Sequence, residues 1–327
     1  MQPFEYASPE TVREAVGLLG RRWGDANVLA GGTDLLGLLK DDLHAPKRVV
    51  NIKGVKELEG IQKTPAGLRI GALVTLDELM KNAEVRASYP SLAEAARGVA
   101  SPQIRNVGTV GGDLCQRPRC WYFRLGHGLL AMGQNGQSLV PAGDNRYHAI
   151  FGNQGPAYFV SASSFGPPLV ALGAKVKLVS PKGSRELPVE KFFVIPKDDA
   201  MREVALQADE ILTEILVPAA VVRNATYEIR QKTALDWPLA TASVAFRMKG
   251  SSVTSARIVL GHVAPVPWRA ASAEATMTGK SLTPAAAEEA AKAAAEGANP
   301  LSGNAYKVQL VRTAVKRAVL EAARGKG

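Results

Sequence analysis

The sequence predicts a mixed α+β protein built from three units, and three observations lead to this prediction. The first is a short strand–helix–strand pattern near the N-terminus, within residues 26–52. The second is a middle region whose strands at 175–179 and 210–217 alternate apolar and polar residues, as is typical of a half-buried sheet. The third is a C-terminal region in which antiparallel strands come first and helices follow, an order typical of α+β folds. Its strands are predicted at 226–232, 240–247 and 256–263.

Chain length and composition agree with this division. A chain of 327 residues is long for one domain, and 46% hydrophobic with 21% charged residues is ordinary for a globular protein. We predict units at 1–55, 56–218 and 222–327. The second unit is predicted to carry an inserted loop at 115–157.

Composition also excludes several classes of protein. No run of about 18 apolar residues is present, so no membrane span is predicted. The N-terminus lacks the basic and apolar regions of a secretory signal, and two cysteines cannot form a disulfide framework. We therefore expect a cytoplasmic protein, unless a partner subunit carries an export signal for the complex. The net charge of +10 is spread along the chain without an aromatic platform, which argues against nucleic-acid binding.

In the first unit, Ser8 and Pro9 are typical of a helix N-terminus, and Gly20 is typical of a helix end. The elements that follow are a strand at 26–30, a helix at 34–40 and a strand at 48–52.

The second unit is predicted to alternate helices and strands. Its helices are placed at 75–80 and 91–100. Its strands are placed at 67–70, 158–160, 175–179 and 210–217.

Two helices end the third unit. Thr283 and Pro284 start an Ala-rich helix that Gly297 ends. A last helix runs from about 304 to 324, with apolar residues at helical spacing, namely Val308, Val311, Val315 and Val319. Its basic residues are expected to face solvent or a subunit interface: Lys307, Arg312, Lys316 and Arg317.

Two Gly-Gly segments are the main functional signal. They read Leu-Ala-Gly-Gly-Thr-Asp at 29–34 and Thr-Val-Gly-Gly-Asp at 109–113. Because glycine has no Cβ, such turns can present consecutive backbone N–H groups to a bulky anion. The first segment joins a strand to a helix, where the helix dipole favours an anion. Two ordinary tight turns are the alternative. Neither a Walker loop nor a G-x-G-x-x-G fingerprint is present, so we interpret the pair as two loops that hold one diphosphate.

With their neighbours, these segments resemble a known family. Residues 30–34 and 103–113 are similar to the paired FAD-pyrophosphate loops of the flavoprotein (medium) subunits of molybdenum hydroxylases. That family includes xanthine dehydrogenase, carbon monoxide dehydrogenase and 4-hydroxybenzoyl-CoA reductase. The resemblance continues through 209–218, 236–238 and 260–264. It implies a two-part FAD-binding domain of the PCMH/vanillyl-alcohol-oxidase type, followed by a C-terminal domain with an antiparallel three-stranded sheet and helices.

The resemblance also implies which residues contact FAD. The expected contacts are Val28, Leu29, Ala30, Gly31, Gly32, Thr33, Asp34, Leu35, Ala100, Ile104, Asn106, Thr109, Gly111, Gly112, Asp113, Ser164, Ile211 and Leu212. Many relatives have Asn in place of Asp113, whose carboxylate would repel a diphosphate unless it is paired or points to the flavin. Ile211 and Leu212 are equally compatible with simple core packing.

The implied function is electron transfer. A large partner subunit would carry the molybdenum cofactor, and a small one the [2Fe-2S] clusters that pass electrons to non-covalently bound FAD on this chain. The flavin would then reduce an external electron acceptor. No catalytic residue is predicted on the protein itself, because the chemistry belongs to the flavin. The alternatives are a stand-alone FAD-dependent oxidase of the same cofactor fold and a basic binding module without catalysis.

Residues 121–157 resemble the loop that carries a [4Fe-4S] cluster in the 4-hydroxybenzoyl-CoA reductase type. Such a cluster takes four thiolates, and the chain has only Cys115 and Cys120. We therefore expect no iron–sulfur cluster on this chain. Aromatic packing should order the loop instead, through Trp121, Tyr122, Phe123, Tyr147 and Phe151. The histidines show no metal-ligand spacing and are interpreted as surface or structural residues: His44, His127, His148 and His262.

Overall fold

The structure, a computed structural model, describes residues 1–219 and 222–325, which form three sheets with helices packed against them. The last two residues of the predicted third unit lie outside the described ranges. The strands are β1 (Glu5–Ala7), β2 (Ala26–Leu29), β3 (Arg48–Asn51), β4 (Ile61–Thr64), β5 (Gly67–Gly71), β6 (Lys175–Ser180), β7 (Gly183–Pro188), β8 (Ile211–Pro218), β9 (Arg223–Ile229), β10 (Ala240–Lys249), β11 (Ser252–Gly261) and β12 (Trp268–Arg269).

The helices are α1 (Val12–Gly17), α2 (Leu35–Lys40), α3 (Leu76–Lys81), α4 (Ala83–Ser88), α5 (Pro90–Gly98), α6 (Pro102–Val107), α7 (Val110–Cys115), α8 (Trp121–Arg124), α9 (Gly166–Leu172), α10 (Val189–Phe192), α11 (Ala271–Met277), α12 (Pro284–Ala294) and α13 (Tyr306–Arg324). Within the described ranges, none of them combines the length and the apolar composition that crossing a bilayer requires.

A three-stranded parallel sheet in the order β1-β3-β2 forms the first unit. Helix α1 begins after Thr11 rather than at Ser8 and Pro9, because the Thr11 hydroxyl accepts the N–H of Glu14 at 3.2 Å and forms the cap. It ends at Leu18, before the predicted Gly20. Helix α2 begins at Leu35, one residue after the predicted start at 34, so the first Gly-Gly segment connects β2 to α2.

The second unit is a five-stranded antiparallel sheet in the order β4-β5-β8-β6-β7, with α3, α5 and α9 over its buried face. The predicted strands at 67–70, 175–179 and 210–217 are present. The predicted strand at 158–160 is wrong, because its backbone makes isolated hydrogen bonds instead of a ladder. The N–H of Ala149 donates to the carbonyl of Tyr158 at 2.9 Å.

The second Gly-Gly segment is the start of a helix rather than a loop. The Thr109 hydroxyl accepts the N–H of Gly112 at 3.1 Å and caps α7, so that Gly111 and Gly112 lie in its first turn. Helix α6 precedes it and is capped by Ser101. These two six-residue helices were not predicted, since they are too short to show apolar periodicity.

The third unit has a four-stranded antiparallel sheet in the order β12-β11-β10-β9. The two-residue strand β12 adds to the three predicted strands. Helices α11, α12 and α13 cover one face through alanine and valine side chains, and short side chains let helix and sheet approach closely. The sheet joins the second unit where the Asn224 side chain accepts the N–H of Ser91 at 3.0 Å and donates to the Ser88 carbonyl at 3.1 Å.

Candidate functional site

The two Gly-Gly segments meet at a groove between the first and second units. A Cβ on Gly31 would lie 1.9 Å from the carbonyl oxygen of Val107, and one on Gly108 would lie 3.7 Å from Oγ1 of Thr33. So close an approach of two backbones requires glycine at position 31. The structure therefore brings together two segments that are about eighty residues apart in the sequence.

Most of the predicted contact residues line this groove. They are Val28, Ala30, Gly31, Gly32, Thr33, Asp34, Leu35, Ala100, Ile104, Thr109, Gly112 and Asp113. The groove lining does not include Leu29, Asn106, Gly111, Ser164, Ile211 or Leu212. Ile211 and Leu212 are buried in two different hydrophobic clusters, as expected for neighbours on opposite faces of a strand.

Sequence reasoning missed several residues that line the groove. These are Trp23, His44, Gln116, Arg117, Arg119, Arg202, Glu210 and Trp237. Most of them come from distant parts of the chain and carry no local motif. Two sequence signals were available. Glu210 and Trp237 lie in the segments 209–218 and 236–238 that resemble the family, and three arginines stand within eight residues in 117–124.

Asp34 organises the arginines at one end of the groove. Its carboxylate accepts from Nη1 of Arg119 and from Nη2 of Arg124, both at 2.9 Å, and from the backbone N–H of Arg117 at 2.8 Å. Asp34 stands at the N-cap of α2 but makes no side-chain capping hydrogen bond. In the first turn of α2, the N–H of Leu36 donates instead to the backbone carbonyl of Gly32 at 3.1 Å.

Arg117 and Arg119 supply positive charge to the groove. Burial lowers the pKa of Arg117 to about 10, which leaves its guanidinium charged at neutral pH. Burial is the largest cause that lowers the pKa of His44, and the charge of Arg117 is the second. The pKa is about 4, so this ring is neutral at neutral pH. Arg119 stacks on the ring of Trp237 at 4.6 Å, and its buried Nε has no hydrogen-bond partner among the described residues. An unsatisfied donor on a cation is suited to a phosphate oxygen.

Asp113 lines the groove but is engaged by the protein. It accepts from the Ser163 hydroxyl at 2.5 Å, from the N–H of Phe165 at 3.2 Å and from Nε2 of Gln116 at 2.9 Å. Burial raises its pKa to about 6. The carboxylate is thus paired by hydrogen bonds, as expected for a carboxylate beside a proposed diphosphate site. It also holds the turn at 163–165 against α7.

A second cavity, of about 170 Å³, lies beside the groove. Arg119 and Trp237 line both spaces. Lys307 of α13 also lines this cavity, although the sequence predicted that it would face solvent or a subunit interface. It is 1% exposed, and Nζ donates to the carbonyls of Tyr147 at 3.0 Å and His262 at 2.8 Å. The prediction failed because the inserted loop covers the first turn of α13.

Stability should depend on pH through Lys307. Burial lowers its pKa from 10.5 to about 7 in the folded chain. Above pH 7 the folded state releases this proton while the unfolded state keeps it, so the free energy of unfolding rises with pH. Between pH 7 and 9, the free energy of unfolding of the wild type, measured with urea, should rise by about 1.4 kcal/mol per pH unit more than that of Lys307→Met. Lys316→Met removes an exposed lysine that pairs with Glu288, and this control should show the wild-type slope. The same slope in all three proteins would contradict the assignment of the pH dependence to Lys307.

The inserted loop is ordered by side-chain contacts near Cys120. Its Sγ lies 3.1 Å from Nε2 of His148, and the ring of Trp121 lies 5.4 Å from that of Tyr147 and 6.4 Å from that of Tyr122. Phe123 packs under the guanidinium of Arg117 at 4.9 Å. Phe151 instead stacks on Trp268, outside the loop. Within the described ranges no group of three His, Cys, Asp or Glu side chains is arranged to hold a metal ion.

Iron and acid-labile sulfide should be absent from the purified chain. Two cysteines supply half of the thiolates that a [4Fe-4S] cluster takes, and Cys115 lies apart, at the groove between the first and second units. Colorimetric iron and sulfide assays on anaerobically purified protein test this expectation. About four iron and four sulfide per chain would overturn it.

Comparison with known proteins gives matches over nearly the whole chain. Residues 2–220 match the model of the FAD binding domain in molybdopterin dehydrogenase, and residues 225–322 match the CO dehydrogenase flavoprotein C-terminal domain. The carbon monoxide dehydrogenase medium chain of Hydrogenophaga pseudoflava is 33% identical, over 97% of this chain and 96% of its own length. The aldehyde oxidoreductase FAD-binding subunit of Escherichia coli is 29% identical, over 98% and 99%.

Solved structures agree with the sequence matches. The carbon monoxide dehydrogenase of Hydrogenophaga pseudoflava that lacks the Mo-pyranopterin moiety aligns with a TM-score of 0.77 and 32% identity, over 98% of each chain. Quinoline 2-oxidoreductase from Pseudomonas putida aligns with a TM-score of 0.76 and 26% identity, over 99% of this chain and 98% of the other.

Proposed function

The chain belongs to the family of FAD-binding medium subunits of molybdenum hydroxylases, and from that premise we propose that it relays electrons within such a complex. Electrons from [2Fe-2S] clusters on a small partner subunit would reach FAD on this chain and leave to an external acceptor. A large partner subunit would carry the molybdenum cofactor. The observation that carries the proposal is the glycine-walled groove with its arginines, in a chain that matches the family over nearly its whole length.

In this proposal the diphosphate of FAD lies between Gly31–Thr33 and the first turn of α7. Gly32 and Gly112 leave room for it, because neither places a Cβ in the groove. The free Nε of Arg119 supplies a hydrogen bond, and the arginines balance the negative charge. The flavin supplies the redox chemistry, and the protein supplies position and electrostatics.

Partner docking is proposed near the groove rather than on the last helix. Large apolar side chains exposed close to it are Trp23 and Trp237, which also line it, together with Leu36 of α2 and Leu235. Of the exposed large apolar residues in the described chain, only Tyr306 lies on α13. Exposed apolar residues around a redox site are suited to a partner subunit. Both cysteines are free, which agrees with a cytoplasmic location for the proposed complex.

Co-purification from the native source tests the proposal. The chain should elute with a large molybdenum-containing chain and a small iron–sulfur chain, with about one FAD per copy. Acid precipitation should release the flavin into the supernatant, since no covalent flavin bond is expected. In the isolated complex, substrate of the molybdenum site should bleach the flavin absorbance without an added mediator.

The stand-alone oxidase makes the opposite predictions. A chain that purifies alone with full FAD and reduces its own flavin with a substrate would support that alternative and overturn the relay. Flavin that stays in the acid precipitate would overturn the non-covalent assignment and leave the relay to be judged by the bleaching experiment.

A further inference from the structure

The second cavity combines aromatic walls with buried nitrogen atoms. The rings of Trp121, Tyr147, Phe159 and Trp237 line it. Its volume of about 170 Å³ is close to the roughly 150 Å³ of a protein cavity that holds benzene. Gln231 and Trp237 belong to the lining and are exposed, so a small molecule can enter beside them. The space therefore suits one six-membered ring with a small substituent.

Lys307 contributes a neutral amine to this cavity. Its Nζ donates to the carbonyls of Tyr147 at 3.0 Å and His262 at 2.8 Å, and these bonds use both N–H groups of an uncharged amine. Among the described residues no carboxylate pairs with Nζ, so a buried ammonium would lack a counter-ion and an acceptor for its third N–H. Burial accordingly lowers the pKa of Lys307 to about 7, and at pH 8.5 the amine is mainly neutral. Its lone pair is then a buried acceptor that a ligand can use.

His262 contributes a hydrogen-bond donor next to this amine. The ring is 2% exposed, and burial lowers its pKa to about 3, so it is neutral. Its Nδ1 lies 3.0 Å from the buried hydroxyl of Thr241, which has no other acceptor in the described chain, so Nδ1 accepts and Nε2 carries the hydrogen. The carbonyl of Ala162 is near enough to act on the pKa of this ring but forms no well-aligned hydrogen bond with Nε2. A ligand oxygen that accepts from Nε2 is therefore favoured.

The charged residues of the lining already have partners within the protein. Arg119 donates to the carboxylate of Asp34 at 2.9 Å and to the side-chain oxygen of Gln116 at 3.0 Å. The carboxylate of Asp236 accepts three backbone N–H groups. Burial lowers the pKa of His148, which also lines the cavity, to about 4, so this ring is neutral too. The lining therefore favours an uncharged ligand.

We infer that this cavity binds a small single ring that carries one hydroxyl group, as phenol does. The hydroxyl donates to Nζ of Lys307 and accepts from Nε2 of His262, and the ring packs among the aromatic side chains. A hydroxyl is the smallest group that does both through one oxygen atom, since an ether or ketone oxygen only accepts. No bond is formed or broken on binding, and the site is independent of the electron relay.

Calorimetric titration of phenol and of anisole into the FAD-loaded chain at pH 8.5 tests the inference. The two ligands share the ring and the oxygen, but anisole has a methyl group in place of the hydroxyl hydrogen and cannot donate to Nζ. We expect one phenol site per chain and at least about tenfold weaker binding of anisole. The absence of saturable phenol binding, or equal binding of both ligands, would overturn the inference.

Lys307→Met separates the lost hydrogen bond from the size of the methyl group. Methionine removes the amine, so the preference for phenol over anisole should disappear, whereas Lys316→Met, at an exposed position, should keep it. A preference that survives in Lys307→Met would show that Nζ does not accept the hydroxyl. FAD content and thermal midpoint are measured on each variant.

Val160→Trp provides a second variant that keeps the buried lysine. Val160 lines the cavity in an irregular segment, so the indole should fill the space and abolish phenol binding. Phenol binding that is unchanged in this variant, or that occurs only without FAD, would overturn a separate site in the cavity. A wild type that never retains FAD contradicts the proposed function instead, and the same titrations on that protein still decide whether the cavity binds phenol.

Discussion

Replacing Gly32 with valine should remove FAD from the protein while leaving the chain folded. Gly32 has φ +78°, a conformation that costs a β-branched residue about 1–3 kcal/mol. A Cβ here would meet only the flexible ends of Leu29 and Leu36, at 3.2 and 3.3 Å, so the fold can adjust. Because Gly32 lines the groove, a bulky residue in this strained conformation would still displace the segment proposed to hold the diphosphate. We expect at least a hundredfold loss of FAD affinity, which corresponds to about 2.7 kcal/mol.

Gly60→Val is the matched control for this variant. Gly60 has φ +84° and an open surrounding, but it does not line the groove. The Gly60→Val protein should lose a similar free energy of unfolding in urea and keep its flavin. Gly112→Val tests the other side, where a Cβ would lie 2.9 Å from Oγ1 of Thr109. If Gly32→Val and Gly112→Val both retain FAD at wild-type stoichiometry, the two-segment site is wrong.

The groove could be predicted from the sequence because Gly-Gly pairs mark places where the backbone must come close to another group or adopt a conformation that other residues disfavour. Gly31 and Gly32 belong to a strand–turn–helix that follows from adjacent residues, whereas the helix α7 that Thr109 caps was not predicted. The strands β6 and β8 were predicted from their alternation of apolar and polar residues, which in β6 matches alternating buried and more exposed positions. In these places local sequence and final environment agree.

The residues that the sequence did not reveal depend on contacts between distant segments. Lys307 was expected at the surface because of its charge, yet it lies four residues before the buried Val311 on α13. The inserted loop, some 160 residues earlier, supplies the Tyr147 carbonyl as its acceptor. Arg119 and Trp237 meet across more than a hundred residues. The predicted start of α1 was wrong for a more local reason, because Thr11 rather than Ser8 forms the N-cap.

Asp34→Asn should cost the FAD-free protein about 3 kcal/mol in free energy of unfolding. The carboxylate is 15% exposed and accepts from Arg119 and Arg124. Removing the anion leaves two mostly buried cations without their partner, which is costly because they are only partly solvated. Asparagine keeps the shape of the side chain, so the variant isolates the charge. Asp144→Asn, which breaks an exposed pair with Arg146 in the inserted loop, should cost less than about 1 kcal/mol.

The same variant distinguishes a purely structural cluster from one that faces the cofactor. If Arg119 points to the diphosphate, bound FAD supplies a replacement anion, and Asp34→Asn should cost clearly less stability in saturating FAD than without it. Urea unfolding at both conditions, with Asp144→Asn as the reference, measures the difference. An equal loss with and without FAD would mean that these arginines do not contact the diphosphate. The binding free energy would then have to come from other groups that line the groove.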